Sequence, residues 1–487
     1  MKKMLIALAV ALAGACTQTP PEMQVVNDAA EALGGRDRVQ AVKTLTIEGE
    51  GTNPNVGQNL TPDAELRVWK VTEFKRTTDP ANGRMRLEQV RTAQFPFAAA
   101  TVQRQNFGID GDVGFNVAPD AMAARVAEMV ARDRRLEMLH HPITAVRAAL
   151  DPGAKVGNLH QLGIEQVVDV TTAKGDVVTL AIDGITKLPT RVVSMSYHNN
   201  LGDVAIETTF SNYEEVSGLK LPKRLTTKID KYVQADIEVS KNTIDGDAGD
   251  LAAPDAVKSA AVPPAIAPAT VDAQQVGRGI WWLAGSGNHR SIVFEFDDHL
   301  VLFEVPQNDV RSSAVIAKAR TLSPKPLTHA IVSHHHFDHS GGLRVAVAEG
   351  LTIITHKGNE EFFKWLVERP HTIVSDALAK NPKPLEIETV DDTLTLKDRS
   401  MELQLYHVKD NIHAGTLLIG YVPRDRMLIQ ADLYDAGWIQ HPWGDNYRQN
   451  VADRKLRVDK AVPVHGPIQT FAENLKTIQS KPPAATN

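Results

Sequence analysis

Cysteine is almost missing from this chain: Cys16 stands alone among 487 residues. A single thiol excludes an intramolecular disulfide and any metal site built on paired thiolates. A basic excess is missing too, because 53 Lys and Arg face 59 Asp and Glu, for a formal charge of −6. That balance gives no electrostatic reason to expect nucleic-acid binding, which draws on a basic face. The N-terminal apolar run, Met4 to Ala13, holds ten residues, and a bilayer span takes about 20. No internal repeat is evident. With 43% hydrophobic and 23% charged residues, the composition is that of an ordinary globular protein rather than a disordered or polytopic membrane one.

Histidine is plentiful and unevenly placed. Of 17, only His140, His141, His160 and His198 precede residue 271, and the other 13 fall in the last 217 residues. Imidazole is the commonest metal ligand and the readiest general base near neutral pH. The chain therefore divides into a chemically plain part and a chemically loaded one.

The N-terminus reads as an export signal over residues 1–16. Met1-Lys2-Lys3 is basic, the ten-residue apolar run follows, and Ala13-Gly14-Ala15-Cys16 supplies small residues before a lone Cys. Three readings stay open. Cys16 is acylated, which tethers a lipoprotein to a membrane in the periplasm or at the outer membrane; the segment is cleaved and the protein is soluble in the periplasm; or the segment stays as an uncleaved apolar N-terminus. Residues 17–22 read as a polar tether.

Residues 23–250 read as a β-rich domain. A helix is expected from about Met23 to Leu33, with Val25, Val26, Ala29, Ala30 and Leu33 on one stripe and Gly34-Gly35 at its end. Strands are expected at Thr44–Glu50, Glu65–Thr72, Arg84–Arg91, Val177–Ile182, Thr190–Tyr197, Ile206–Asn212, Arg224–Lys231 and Gln234–Lys241. Alternation such as Arg84-Met85-Arg86-Leu87-Glu88-Gln89-Val90 suits an antiparallel sheet with one wet face. A helical interlude is expected from Asp120 to Leu150. Glu31-Ala32-Leu33-Gly34-Gly35 and Gly218-Leu219-Lys220-Leu221-Pro222 resemble phrases of the periplasmic lipoprotein carriers, which implies a half-barrel. Residues 251–270 are rich in Ala and Pro and read as a linker. Beyond it, over 271–480, strands and helices alternate, as in layered α/β folds, and 481–487 form a tail.

The central motif is Ser333-His334-His335-His336-Phe337-Asp338-His339-Ser340-Gly341-Gly342. It lies between a short buried strand, Thr328–Ser333, and a helix, Gly341–Glu349. His334 and His336, two apart, can converge on one cation from a turn, and Asp338 and His339 can reach a second. This H-x-H-x-D-H spacing resembles that of the metallo-β-lactamase superfamily. The likeness continues in His413-Ala414-Gly415-Thr416, in Asp432 after the apolar stretch Met427–Ala431, and in Pro463-Val464-His465-Gly466. It implies a C-terminal αβ/βα four-layer sandwich and two metal ions. His334, His336 and His413 would hold one, Asp338, His339 and His465 the other, and Asp432 would bridge them. Nitrogen and oxygen donors without thiolate suit Zn²⁺, and Fe or Mn fit the same set. A hydroxide held between the ions would attack an ester, lactone, amide or related small-molecule substrate, with Asp338 as the catalytic residue that orients it or carries its proton.

Other residues need weighing. His335, at an x position, reads as packing, His407 as a rival to His413, and His289, His299, His356 and His371 as surface or core histidines. Trp438, His441 and Trp443 follow the bridging position and read either as a substrate-pocket wall or as residues that fix the loop by burial. Glu304-Val305-Pro306 stands where the superfamily commonly has an Asp-x-Gly turn, which leaves the support under the metal loop undefined. Asp432, rather than Cys or Ser, resembles the thioesterase, lactonase and phosphodiesterase branches. Two other functions use the same residues: an iron-dependent oxygenase, or a ligand-binding lipoprotein with an idle hydrolase domain.

Overall fold

The computed structural model describes residues 19–95, 102–438 and 440–480. The expected export signal with Cys16, the start of the expected tether and the expected tail lie outside the described residues. No helix among the described residues is long and apolar enough to cross a membrane.

The N-terminal domain is a single antiparallel sheet of 13 strands. Its chain order is a meander closed in the middle. The first strand, Leu45–Pro54, pairs on one side with Val68–Asp79 and on the other with Tyr232–Ile244. The expected strands are present and mostly longer, as at Gly202–Val216 and Tyr232–Ile244. Strands at Val102–Asp110, Val113–Val117, Lys155–Leu162 and Glu165–Thr171 join them. The helical interlude is shorter than its sequence suggests: Ala123–Arg125 is a strand, and helices run only over Glu128–Leu139 and Pro142–Ala149. Pro142 starts the second helix, where its missing N–H costs nothing, and His141 caps it by accepting from the Ile143 amide.

The expected leading helix is Pro21–Leu33, and its stripe of Val25, Val26, Ala29, Ala30 and Leu33 is buried against the sheet with Leu136, Ile143 and Val146. A cavity of about 570 Å³ remains on the helix-covered face, lined by Phe74, Leu87, Phe107, Leu225, Ile237 and Arg76 among others. Within the Ala/Pro stretch, Asp255–Ser259 forms a short helix that buries Val257 beside Phe115.

The C-terminal domain has two sheets face to face. One has seven strands, from Val271–Gly277 to Ile387–Val390, and the other six, from Thr393–Lys397 to Gln469–Thr470. In the first, Leu300–Phe303, Leu327–Ile331 and Thr352–His356 run parallel and are buried on both faces, which is why they read as near-continuous apolar runs. Phe294, Phe303, Ile331 and Ile354 meet Leu403, Ile419, Leu428 and Val462 between the sheets. On the outer face Val293, Leu302, Ala330 and Ile353 pack under helices Asp309–Ala319, Leu343–Ala348 and Glu360–Glu368. Helix Gly444–Asp453 covers the second sheet through Tyr447 and Val451. The result is the helix–sheet–sheet–helix layering expected from the sequence.

The two domains share a core. Leu201, Val204 and Ile229 belong to the same apolar cluster as Phe363 and Leu366. Arg369 adds hydrogen bonds to the Leu201 and Asp203 carbonyls at 2.6 and 2.7 Å.

Candidate metal centre

Strand ends of both sheets deliver the site. His334, His336, Asp338 and His339 follow strand Leu327–Ile331, Asp432 follows Met427–Gln430, and His465 follows Lys460–Pro463. His413 precedes Leu418–Val422. Each turn is held by a local device. The Asn411 Oδ1 accepts from the His413 and Ala414 amides at 2.8 and 3.1 Å. The Gln430 side chain spans the Asp432 turn, accepting from the Leu433 amide at 3.0 Å and donating to the Tyr434 carbonyl at 2.7 Å.

Two clusters of donors result, and within each the donor atoms lie within 4.8 Å of one another. The first is His334, His336, His413 and Asp432, and the second is His289, Asp338, His339 and His465. Asp432 faces both. Its Oδ2 is 2.7 Å from His413 Nε2 and 3.2 Å from His339 Nε2, and its Oδ1 is 2.8 Å from His465 Nε2. All seven residues singled out in the sequence are thus brought together. His289, which reads as a surface or core histidine in the sequence, joins them, with Nε2 3.0 Å from Asp338 Oδ2. The hairpin joining Ile280–Gly285 to Ser291–Glu295 carries it there. The rival His407 belongs to neither cluster; its Nε2 donates to the Gly415 carbonyl at 3.0 Å.

In four of the rings the second nitrogen is hydrogen-bonded from behind, which turns the first toward the cluster. His339 Nδ1 donates to Glu304 Oε2 at 3.2 Å, and His465 Nδ1 donates to the Asn288 carbonyl at 2.9 Å. His334 Nδ1 shares a hydrogen bond with Ser333 Oγ at 2.9 Å, and His336 Nε2 donates to the Asn59 carbonyl at 2.8 Å. The remaining His334 Nε2 and His336 Nδ1 are buried without a hydrogen-bond partner among the described residues. An orphaned buried imidazole nitrogen is costly unless something fills it. Rings oriented from behind and open in front are the arrangement metal-ligating histidines use. The residues therefore fit a pair of divalent ions.

Glu304 settles the support under the loop. It is fully buried, accepts from the Ser333 amide at 3.2 Å with one oxygen and from His339 with the other. A longer side chain thereby reaches the ligand that the expected Asp-x-Gly turn left without a defined support.

The electrostatics are those of a carboxylate-rich pocket. Burial opposes charge on His339, but Asp432, Asp338 and Glu304 outweigh it and hold its pKa well above the ordinary value. Asp432 is driven the other way: burial would raise it, and His339, His465 and His413 together pull it well below the carboxylate range. Burial lowers His334 to about 4, and the neighbouring His339 charge adds to that. Asp338 is also held low, by His339 and by the His289 hydrogen bond against the pull of burial. It is the one carboxylate of the site with substantial access, its side chain 36% exposed against 8% for Asp432.

The aromatic segment is a support more than a wall. Trp443 is 4% exposed, donates from Nε1 to the Asp432 carbonyl at 2.7 Å and lies 4.9 Å from the His413 ring. His441 is 1% exposed and stacks on Tyr434 at 5.0 Å. Trp438, half-buried, packs edge-on against Trp443. Of the two readings of these residues, burial favours fixing the loop. His335 is buried between Thr416 and the Asn59 carbonyl.

Residues 285–433 match the metallo-beta-lactamase superfamily. Among solved structures the chain is similar to a metallo-beta-lactamase from Pontibacter korlensis, at 15% identity over 44% of this chain and 100% of that one, with a TM-score of 0.34. It is also similar to one from Hirschia baltica, at 16% identity over 45% and 99%, with a TM-score of 0.34. A third, from Pseudomonas aeruginosa in its mono-zinc form, is 16% identical over 44% and 96%, with a TM-score of 0.35. No curated protein matches the chain.

Proposed function

We propose that this chain is an exported hydrolase that uses two zinc ions, one per cluster, to cleave an ester, lactone, amide or related small molecule. The observation that carries the reading is Asp432, whose carboxylate lies between the two clusters within 2.7 to 3.2 Å of His413, His339 and His465. A carboxylate so placed could serve both ions of a two-metal centre. When bound, such ions supply a hydrolytic nucleophile at neutral pH and Lewis-acid stabilisation of the charge that develops on the substrate.

The protein's own residues do the rest. Asp338 is the accessible carboxylate of the site, held by a hydrogen bond from His289 Nε2, and is the residue placed to orient a nucleophile or accept its proton. His334, His336, His339, His413 and His465 are all buried, whereas the Asp338 side chain is 36% exposed, so substrate reaches the centre from the side of Asp338.

The experiment is a screen of chromogenic lactones, esters, phosphodiesters and β-lactams with the full-length protein, with and without chelator, beside Asp432→Ala. The reading expects chelator-sensitive turnover of at least one class and its loss in the variant. Turnover that survives both treatments would overturn it.

A further inference from the structure

The N-terminal domain reaches into the metal centre through a short segment after its first strand. The Gly57 carbonyl accepts from the Phe337 amide at 3.3 Å, and Gln58 Nε2 donates to Asp338 Oδ1 at 2.8 Å. The Asn59 carbonyl takes both His335 Nε2 and His336 Nε2, at 3.0 and 2.8 Å, and the Leu60 carbonyl accepts from the Gly415 amide at 2.7 Å. Four consecutive residues of one domain therefore touch two of the loops that carry the other domain's ligands.

We infer that residues 57–60 are a fixed strap that completes the metal centre, with Gln58 and the Asn59 carbonyl as positioning groups for Asp338 and His336. The inference rests on the proposed two-ion reading. Imidazole can present either nitrogen to an ion, and the one that donates a hydrogen bond is the one withheld. Donation from His336 Nε2 to Asn59 leaves Nδ1 facing inward, and that atom is the buried one without a partner among the described residues. Gln58 acts likewise on a carboxylate: it takes Oδ1, so Oδ2 is the oxygen turned toward His289 and His339.

The strap is built to stay in place. Asn59 is 4% exposed, and its side-chain amide donates to the carbonyls of Thr61, Pro62 and Ala64 at 2.6, 2.9 and 3.2 Å. That coil aims its main-chain carbonyl away from its own loop and at the histidines. Arg67 braces the far side, donating to the Gln58 carbonyl at 3.1 Å and to the His413 carbonyl at 2.8 Å. Burial lowers its pKa to about 10, which leaves it charged at neutral pH. One guanidinium thus ties the strap to a ligand loop of the first cluster, while Gln58 ties it to the second.

The test is zinc titration of the apo full-length chain against a chromophoric chelator, for wild type, Gln58→Leu and Arg67→Leu, with thermal unfolding of each apo protein and the absorption spectrum of each cobalt-loaded one. Gln58→Leu is expected to weaken one zinc equivalent by about 10- to 100-fold, the usual effect of losing a group that orients a ligand. The other equivalent and the apo melting temperature stay unchanged. Arg67→Leu is expected to weaken the opposite equivalent, and the two cobalt spectra change differently. Wild-type binding of both equivalents by both variants overturns the strap and leaves the two-ion reading standing, as does an equal loss of both equivalents in step with a lower melting temperature. A wild type that binds no zinc overturns both.

Discussion

Glu304 donates no ligand, yet its carboxylate lies 3.2 Å from His339 Nδ1 with both residues fully buried. This pair fixes which His339 nitrogen turns toward Asp432 and Asp338. Glu304→Gln keeps the shape but removes the negative charge behind the ring. We expect it to lower affinity for the ion at the second cluster by about 10- to 100-fold, read by chelator competition, with the first ion retained. Equal loss at both clusters, or none, would contradict that role.

His289 is the donor that sequence spacing did not reveal. If it stands at the second cluster as its 3.0 Å approach to Asp338 implies, His289→Ala should loosen the second ion by about ten-fold or more. The cobalt-loaded variant should show an altered spectrum in only one of two ion equivalents. An unchanged spectrum and unchanged affinity would return His289 to a packing role.

Gly57 has a steric duty. Its φ is +78°, and a Cβ there would lie 2.2 to 2.6 Å from the Phe337 ring. Gly57→Val must move the strap or the Phe337 ring, and we expect it to lower unfolding stability by about 1–3 kcal/mol and to weaken zinc binding as well. Urea unfolding of the apo protein checks the first effect. A stable variant with wild-type zinc affinity would show that the close approach does not matter.

The N-terminal domain should be acid-sensitive for a reason unrelated to metal. His140 is buried, both ring nitrogens lie 2.9 Å from hydroxyls of Thr208 and Ser194, and burial together with the Arg76 charge lowers its pKa to about 3. In the unfolded chain it titrates near 6.5. Its contribution is complete above pH 6.5 and declines as pH falls toward 3, because the unfolded state then binds the extra proton. His140→Asn should make the fall in unfolding free energy between pH 6.5 and 4 shallower by about 1.4 kcal/mol per pH unit. Parallel pH profiles for wild type and variant would refute this.

Much of the site was legible because its residues lie in dense local patterns. His334 to His339 sit within one turn between a strand and a helix, and His413, Asp432 and His465 each adjoin an apolar strand recognisable by itself. The half-buried strands of the first domain were likewise readable from alternation, as in Arg84–Ala93. What stayed hidden depends on tertiary arrival. His289 sits in a hairpin turn with no motif around it, and Gln58 meets Asp338 across 280 positions of chain. The exposed strand Lys155–Leu162 carries no buried side chain, so it offers little hydrophobic period to detect. Glu304 looked like a departure from a pattern, and only its contact with His339 shows that the longer side chain provides the support.

The central claim is that two ions share this centre through Asp432. The most direct measurement is the zinc content per chain, by elemental analysis of full-length protein after loading and gel filtration, beside Asp432→Ala. We predict about two equivalents for the wild type, one for each donor cluster, and less than about one for the variant. A wild type that retains no zinc, or an Asp432→Ala protein that retains both ions, would contradict the account.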